Sequence, residues 1–206
     1  MAITYPLALP THTGIAQISL RANDTVAFNM SPFSAKQQVY KYSGQFWEAD
    51  VTLPPMKRAD AEYWLSFLMK LNGAYGTFLL GDPNGATARG VGTGTPLVNG
   101  ASQTGYELIT DGWTVSTTGI LKAGDYIQLG SGSTSRLYKV LDDVDSDGSG
   151  NATLTLWPNL RSSPADDATI TVASTKSVFR LTTNVTDISI NQASIYGVSF
   201  GAVEAI

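Results

Sequence analysis

"TKSVFRLTTNVTDISINQASIYGVSFGAVEAI", residues 175–206, decides how the chain is organised. It holds three strand candidates, and in the last of them Tyr196, Val198, Phe200 and Ala202 alternate with Gly197, Ser199 and Gly201, the period of a strand with one buried face. These 32 residues are too few to bury a core of their own. The segment therefore has to pack against something made earlier in the chain.

Working outward, that partner lies near the beginning. Strands are predicted near 15–21, 25–30, 37–42 and 46–53, the last marked by Trp47, Ala49, Val51 and Leu53 alternating with Glu48, Asp50 and Thr52. Pro54 and Pro55 cannot donate to a sheet ladder and stop this strand. "RADAEYWLSFLMKLNG" (58–73) then reads as a lone amphipathic helix. Trp64, Leu65, Leu68 and Leu71, together with Ala61, form its apolar stripe, and Glu62, Ser66 and Lys70 lie opposite. Asp60 suits the N-terminal turn, and Gly73 is a good stop. Tyr63 and Phe67 flank the stripe, so the helix either covers a sheet within its own subunit or also reaches a neighbouring one.

After "GTFLL" (76–80) the composition changes to "DPNGATARGVGTG" (82–94), a Gly-rich segment able to lead the chain out of one unit. Strand candidates at 106–109, 113–116, 125–129, 136–141, 153–157 and 169–172 then suggest a small barrel or sandwich. The expected organisation is a discontinuous unit of residues 1–82 plus 174–206, with 83–173 inserted through a neck of "GTFLL" and "SVFRL" (177–181). Charge divides the same way: the outer unit has 8 basic and 8 acidic residues, the insertion 5 and 9.

The net charge of −4, without clusters of Lys or Arg among aromatics, argues against nucleic-acid recognition. The absence of cysteine excludes disulfides, zinc thiolates and thiol chemistry. No basic segment followed by an apolar run opens the chain, and no stretch of about 18 apolar residues occurs, so cytosolic synthesis without membrane insertion is expected.

Catalytic patterns are missing as well. His12, the single histidine, has no nucleophile or metal-ligand pattern around it and reads as a surface residue. "GVGTG" (90–94) lacks the full dinucleotide-loop spacing and a following helix. No cofactor is expected, and the chain does not read as an enzyme. "DVDSDG" (143–148) places Asp143, Asp145 and Asp147 before Gly148 like the start of a calcium loop, but Leu154 stands where a bidentate Glu belongs. A polar hairpin loop and a weak calcium site are the two readings of it. Trp47, Trp113 and Trp157 are either core residues or a stacking platform for a sugar.

Taken together, "PFSAKQQVYKYSGQFWEADVTLPPMKRADAEYWLSFLMKLNGAYGTFLLGDP" (32–83) and "GDYIQLGSGSTSRLYKVLDDVDSDGSGNATLTLWPNLR" (124–161) resemble the distal tail proteins of long, flexible-tailed (siphovirus-like) bacteriophages and gene transfer agents. The resemblance implies a mainly β fold: a tail-tube-like β-sandwich with one packed α-helix, carrying an inserted OB-like small β-barrel. It implies that Trp64, Leu65 and Leu68 pack the helix, Gly81 and Asp82 turn the chain at the junction, and Gly124 and Asp125 open a barrel strand. The job implied is structural: a hexameric ring at the distal end of the virion tail, joining the tail tube protein to the hub or tip protein around a genome channel. "SPFSAKQQVYKYSGQ" (31–45), with Phe33, Gln38, Tyr40 and Tyr42, is the candidate intersubunit arm. A carbohydrate-binding tail module for host attachment, resting on the three tryptophans, is the alternative.

Overall fold

The computed structural model describes residues 3–206, so the first two residues of the expected 1–82 unit lie outside it. The chain runs β1 (Gln17–Met30), β2 (Gln37–Thr52), α1 (Arg58–Lys70) and β3 (Phe78–Leu80). Six strands follow: β4 (Gly94–Val98), β5 (Glu107–Trp113), β6 (Tyr126–Leu129), β7 (Arg136–Val140), β8 (Ala152–Trp157) and β9 (Ile170–Thr171). The C-terminal part supplies β10 (Ser177–Leu181), β11 (Ser189–Ile190), β12 (Tyr196–Gly197) and β13 (Ser199–Glu204). The fold is mainly β with one packed α-helix.

Strands from the two ends of the chain share one five-stranded sheet in the order β1-β2-β13-β10-β3. The last strand thus lies between β2 and β10, where Ala202 faces Ala49 and Phe200 faces Val51. This is the physical answer to the short C-terminal segment: its buried side chains complete a face that β2 begins. The neck forms as expected, with Phe78 opposite Phe179 and Leu80 opposite Ser177. Gly81 is required there, since a Cβ on it would lie 2.0 Å from the Thr175 carbonyl oxygen. The free side of β3 is covered by the N-terminal segment, where Leu7 N donates to Thr77 O and Leu79 N to Leu7 O.

Beside the five-stranded sheet lie the short antiparallel pair β11-β12 and one helix. α1 packs Ala61, Trp64, Leu65, Phe67 and Leu68 into the core, and Leu71, its C-terminal cap residue, is buried with them. Phe67 meets Phe78 edge-on at 5.6 Å, and Trp64 lies 6.3 Å from Phe200. Such a wide apolar arc covers several strands of the sheet. Asp60 lies in the first turn without a side-chain cap, and Asn72 and Gly73 both take positive φ and end the helix. Tyr63 stays half exposed and stacks on His12 at 3.7 Å, and His12 is an exposed surface residue, as expected.

The strands between β3 and β10 form a second sheet, in the order β4-β5-β8-β7-β6-β9. Leu97 bridges back to Thr169 and Val98 N donates to Ala168 O, so this sheet nearly closes into a barrel. Val98, Leu108, Ile127, Val140 and Leu154 fill it. Asp125 stands at its entry, where its carboxylate accepts from the backbone amides of Arg89 (2.7 Å), Gly90 (2.9 Å) and Lys122 (2.8 Å). The two cores are not sealed from each other: Tyr126 and Leu137 of the barrel strands pack into the core beneath α1.

Candidate interaction site: a hairpin arm held at its base by the barrel

β1 and β2 continue well past the five-stranded sheet. Strand breaks are expected after 21 and 42, where polar turn-forming residues sit, yet both strands run through. Only a bulge marks the place: Asp24 faces Gln45, while Val26 already faces Lys41. Thr25 Oγ1 donates to Gly44 O at 2.6 Å across it, which ties the extra residues down. Beyond the bulge the two strands pair with each other alone, from Val26 opposite Lys41 to Met30 opposite Gln37. A tight turn closes the tip, with Ser31 N donating to Lys36 O and Ala35 at φ 53°.

The register sorts the arm into two faces. Directly opposed residues point the same way, so Val26, Phe28, Met30 and Val39 line one face, all of them exposed. Gln38 and Tyr40 share the other with Ala27 and Asn29, joined by a hydrogen bond from Gln38 Nε2 to the Tyr40 hydroxyl, and Tyr42 follows at the bulge. Phe33 stands at the tip, 98% exposed. All four residues expected in the arm therefore lie on it and are uncovered. The apolar face was missed, although the alternation in "TVAFNM" (25–30) carries its signal.

At its base the arm is gripped by the barrel. Trp157 Nε1 and Gln45 Nε2 donate to Asp24 Oδ1 at 3.2 and 2.6 Å, and Asn159 N donates to Gln45 Oε1 at 2.8 Å. The amide of Gln45 and then the Trp157 indole hold the Asp24 carboxyl below the usual carboxylate range. Arg161 donates to the Gln45 carbonyl and, through Nη2, to Glu204 Oε2 at 2.6 Å. Glu204 also accepts from the Trp47 amide (3.2 Å) and the Ser177 hydroxyl (2.9 Å), and Trp47 Nε1 donates to Leu137 O at 3.0 Å. Trp47 and Trp157 meet edge-on at 4.5 Å.

Trp47 and Trp113 are each only 3% exposed, and Trp113 donates to Thr110 Oγ1 inside the barrel, so neither offers a face to a sugar. The three loop aspartates do not converge. Asp143 accepts from Ala123 N and Lys122 Nζ, Asp145 from Gly119 N, and Asp147 from Ser149 N and Asn151 N. Backbone donation by Ala123 and by Asn151 is the leading cause that lowers the Asp143 and Asp147 pKa values. Among the described residues no group of three or more His, Cys, Asp or Glu is placed to hold a metal ion, and no helix is long and apolar enough to cross a membrane. No family model matches the chain, and no curated protein matches it.

Proposed function

We propose that this chain is a structural, non-enzymatic distal tail protein, a ring adapter at the distal end of a phage or gene transfer agent tail. Its partners are five further copies of itself in a ring of six, the tail tube protein, and the hub or tip protein of the baseplate. The ring leaves a central channel for the genome, without sequence-specific nucleic-acid binding or membrane insertion. It is synthesised in the host cytoplasm and works in the virion. In this reading residues 1–82 plus 174–206 are the ring unit, with a tail-tube-like identity for its sheet and helix, and 83–173 is an inserted OB-type module.

The observation that carries the proposal is the arm. A two-stranded ribbon with no third strand is marginal in water, and this one exposes Val26, Phe28, Met30 and Val39 on a single face. Contiguous exposed apolar surface of this kind marks a contact site. A projecting element that meets a different surface on the next copy gives a heterologous interface, the type that closes into rings.

The test is native mass spectrometry with negative-stain microscopy of the full chain, alongside a variant in which residues 31–36 are replaced by a two-residue Asn-Gly turn. Rings of six that fall apart in the shortened variant support the proposal. Unchanged ring mass in that variant removes the arm from the assembly, and monomers that also fail to join purified tail tube and hub proteins overturn the adapter.

A further inference from the structure

The arm accounts for one side of an interface, and the other side has to accept its tip. A cavity of about 460 Å³ opens where β2 and β13 meet the segment after β10. Its walls include Leu68, Leu181, Val185 and Phe200, and its rim carries Asp50 and Asp187. No Lys or Arg lines it. Asp50 already has a cation within the chain, Arg21 at 2.5 Å, which it shares with Glu48 at 3.3 Å. Asp187 makes no ion pair among the described residues, and it also lines the adjoining depression beside Leu53 and Val198.

The arm is complementary in both respects. Residues 25–44 contain Lys36 and Lys41 and no acidic residue. At the tip, Phe33 is almost wholly exposed, three positions from Lys36. An aromatic side chain is the typical anchor of a protein interface because it buries about 150–250 Å² with few rotatable bonds. An apolar wall with an unpaired carboxylate at its rim is what such an anchor and its neighbouring lysine require.

We infer that the cavity walled by Leu68, Leu181, Val185 and Phe200 is the receptor for the arm tip of a second copy, with Phe33 entering it and Lys36 meeting Asp187. The inference rests on the reading of the arm as an intersubunit element and names the surface that element engages. The donor and receptor are different patches of the same chain, so each copy gives one contact and receives another. Phe33 supplies most of the affinity, and the Lys36–Asp187 pair, at an exposed rim, chiefly sets orientation.

The chain has no cysteine, so single engineered thiols report proximity without background. Ser34→Cys, which keeps Phe33 beside it, and Val185→Cys, both at exposed positions, are mixed as full-length chains and oxidised, with Ser102→Cys on the barrel as the control partner for Ser34→Cys. Disulfide-linked heterodimers of the first pair, with few of the second, are expected. Closed rings lacking the first cross-link overturn the receptor assignment and leave the adapter standing. Cross-linked open chains or dimers support the receptor and count against a ring, while monomers without cross-links overturn the receptor. A charge exchange gives a second readout: Lys36→Glu weakens self-association up to about fivefold, and Asp187→Lys in the same chain restores it. Equal weakening in the single and double variants would overturn the pairing.

Discussion

Arg161, beyond the last long barrel strand, and Glu204, at the end of the final strand, form an ion pair of 2.6 Å in which the Glu204 side chain has no exposure and that of Arg161 only 9%. Glu204 stands opposite Phe179 on a sheet row that continues to Phe78, so a carboxylate occupies a position suited to an apolar residue. Burial of two charges is costly, and removal of one partner leaves the other uncompensated. Arg161→Ala should therefore cost about 3–5 kcal/mol in urea unfolding. The double substitution Arg161→Met with Glu204→Leu should recover most of that loss. No recovery would mean that the hydrogen bonds to Gln45 and Ser177, and not the charge pair, govern this junction.

The helix offers a simpler test. Leu68 is buried between the sheet and the segment after β10, and Leu68→Ala removes its packing and leaves a void. A loss of about 2–5 kcal/mol is expected. Equilibrium unfolding monitored by circular dichroism would show it, and a loss below about 1 kcal/mol would indicate that the site collapses on the shorter side chain.

At the neck, Gly81→Ala drives a methyl group against the Thr175 carbonyl and should cost about 1–3 kcal/mol as the two neck strands separate. Gly14 is the matched control, for nothing lies within 4 Å of a Cβ there. Thermal unfolding of Gly81→Ala and Gly14→Ala side by side should show a fall in the first and none in the second.

Acid should loosen the base of the arm. The Asp24 carboxyl is held below its ordinary pKa by donation from Gln45 and Trp157, so its contribution is complete above about pH 4 and is lost as pH falls through the folded-state value. The Trp157 indole N–H resonance should hold its position from neutral pH down to about 4 and move below that. Asp24→Asn keeps an acceptor oxygen but no titrating group, and should flatten the acid limb. A resonance that moves identically in both proteins would place the titrating group elsewhere.

How far the sequence reveals this architecture depends on the range of the forces involved. The stripe of Trp64, Leu65, Leu68 and Leu71 and the alternation from Tyr196 to Ala202 are local periodicities, and burial follows both. The neck is legible because a short C-terminal segment has to find a core. Continuity of β1 and β2 through Asn23, Asp24, Ser43 and Gly44 is not legible, since these residues favour turns; the ladder holds Asn23 and Asp24, and the Thr25 hydroxyl holds Gly44 across the bulge. β4 begins inside the Gly-rich segment, where the propensity signal is weak. The grip on the arm joins residues far apart in sequence, such as Asp24 with Trp157 and Gln45 with Arg161, and no spacing rule connects them. The tryptophans invite a sugar-binding reading because an aromatic beside a strand looks the same in a core and on a platform; Leu137 and Thr110, the acceptors that settle Trp47 and Trp113, are visible only in three dimensions.

The neck also determines what can replace the barrel. The chain leaves and re-enters the main sheet at hydrogen-bonded neighbours, Leu80 and Ser177, so topologically the barrel is an enlarged hairpin loop and a cassette of another size could be spliced there. Such a graft would uncover the Trp47 indole N–H, the Glu204 carboxylate and the base of the arm together. A successful replacement must therefore bring an acceptor, a cation and a hydrogen-bonding edge to those three places, which makes the junction selective about its cargo although the connection is permissive.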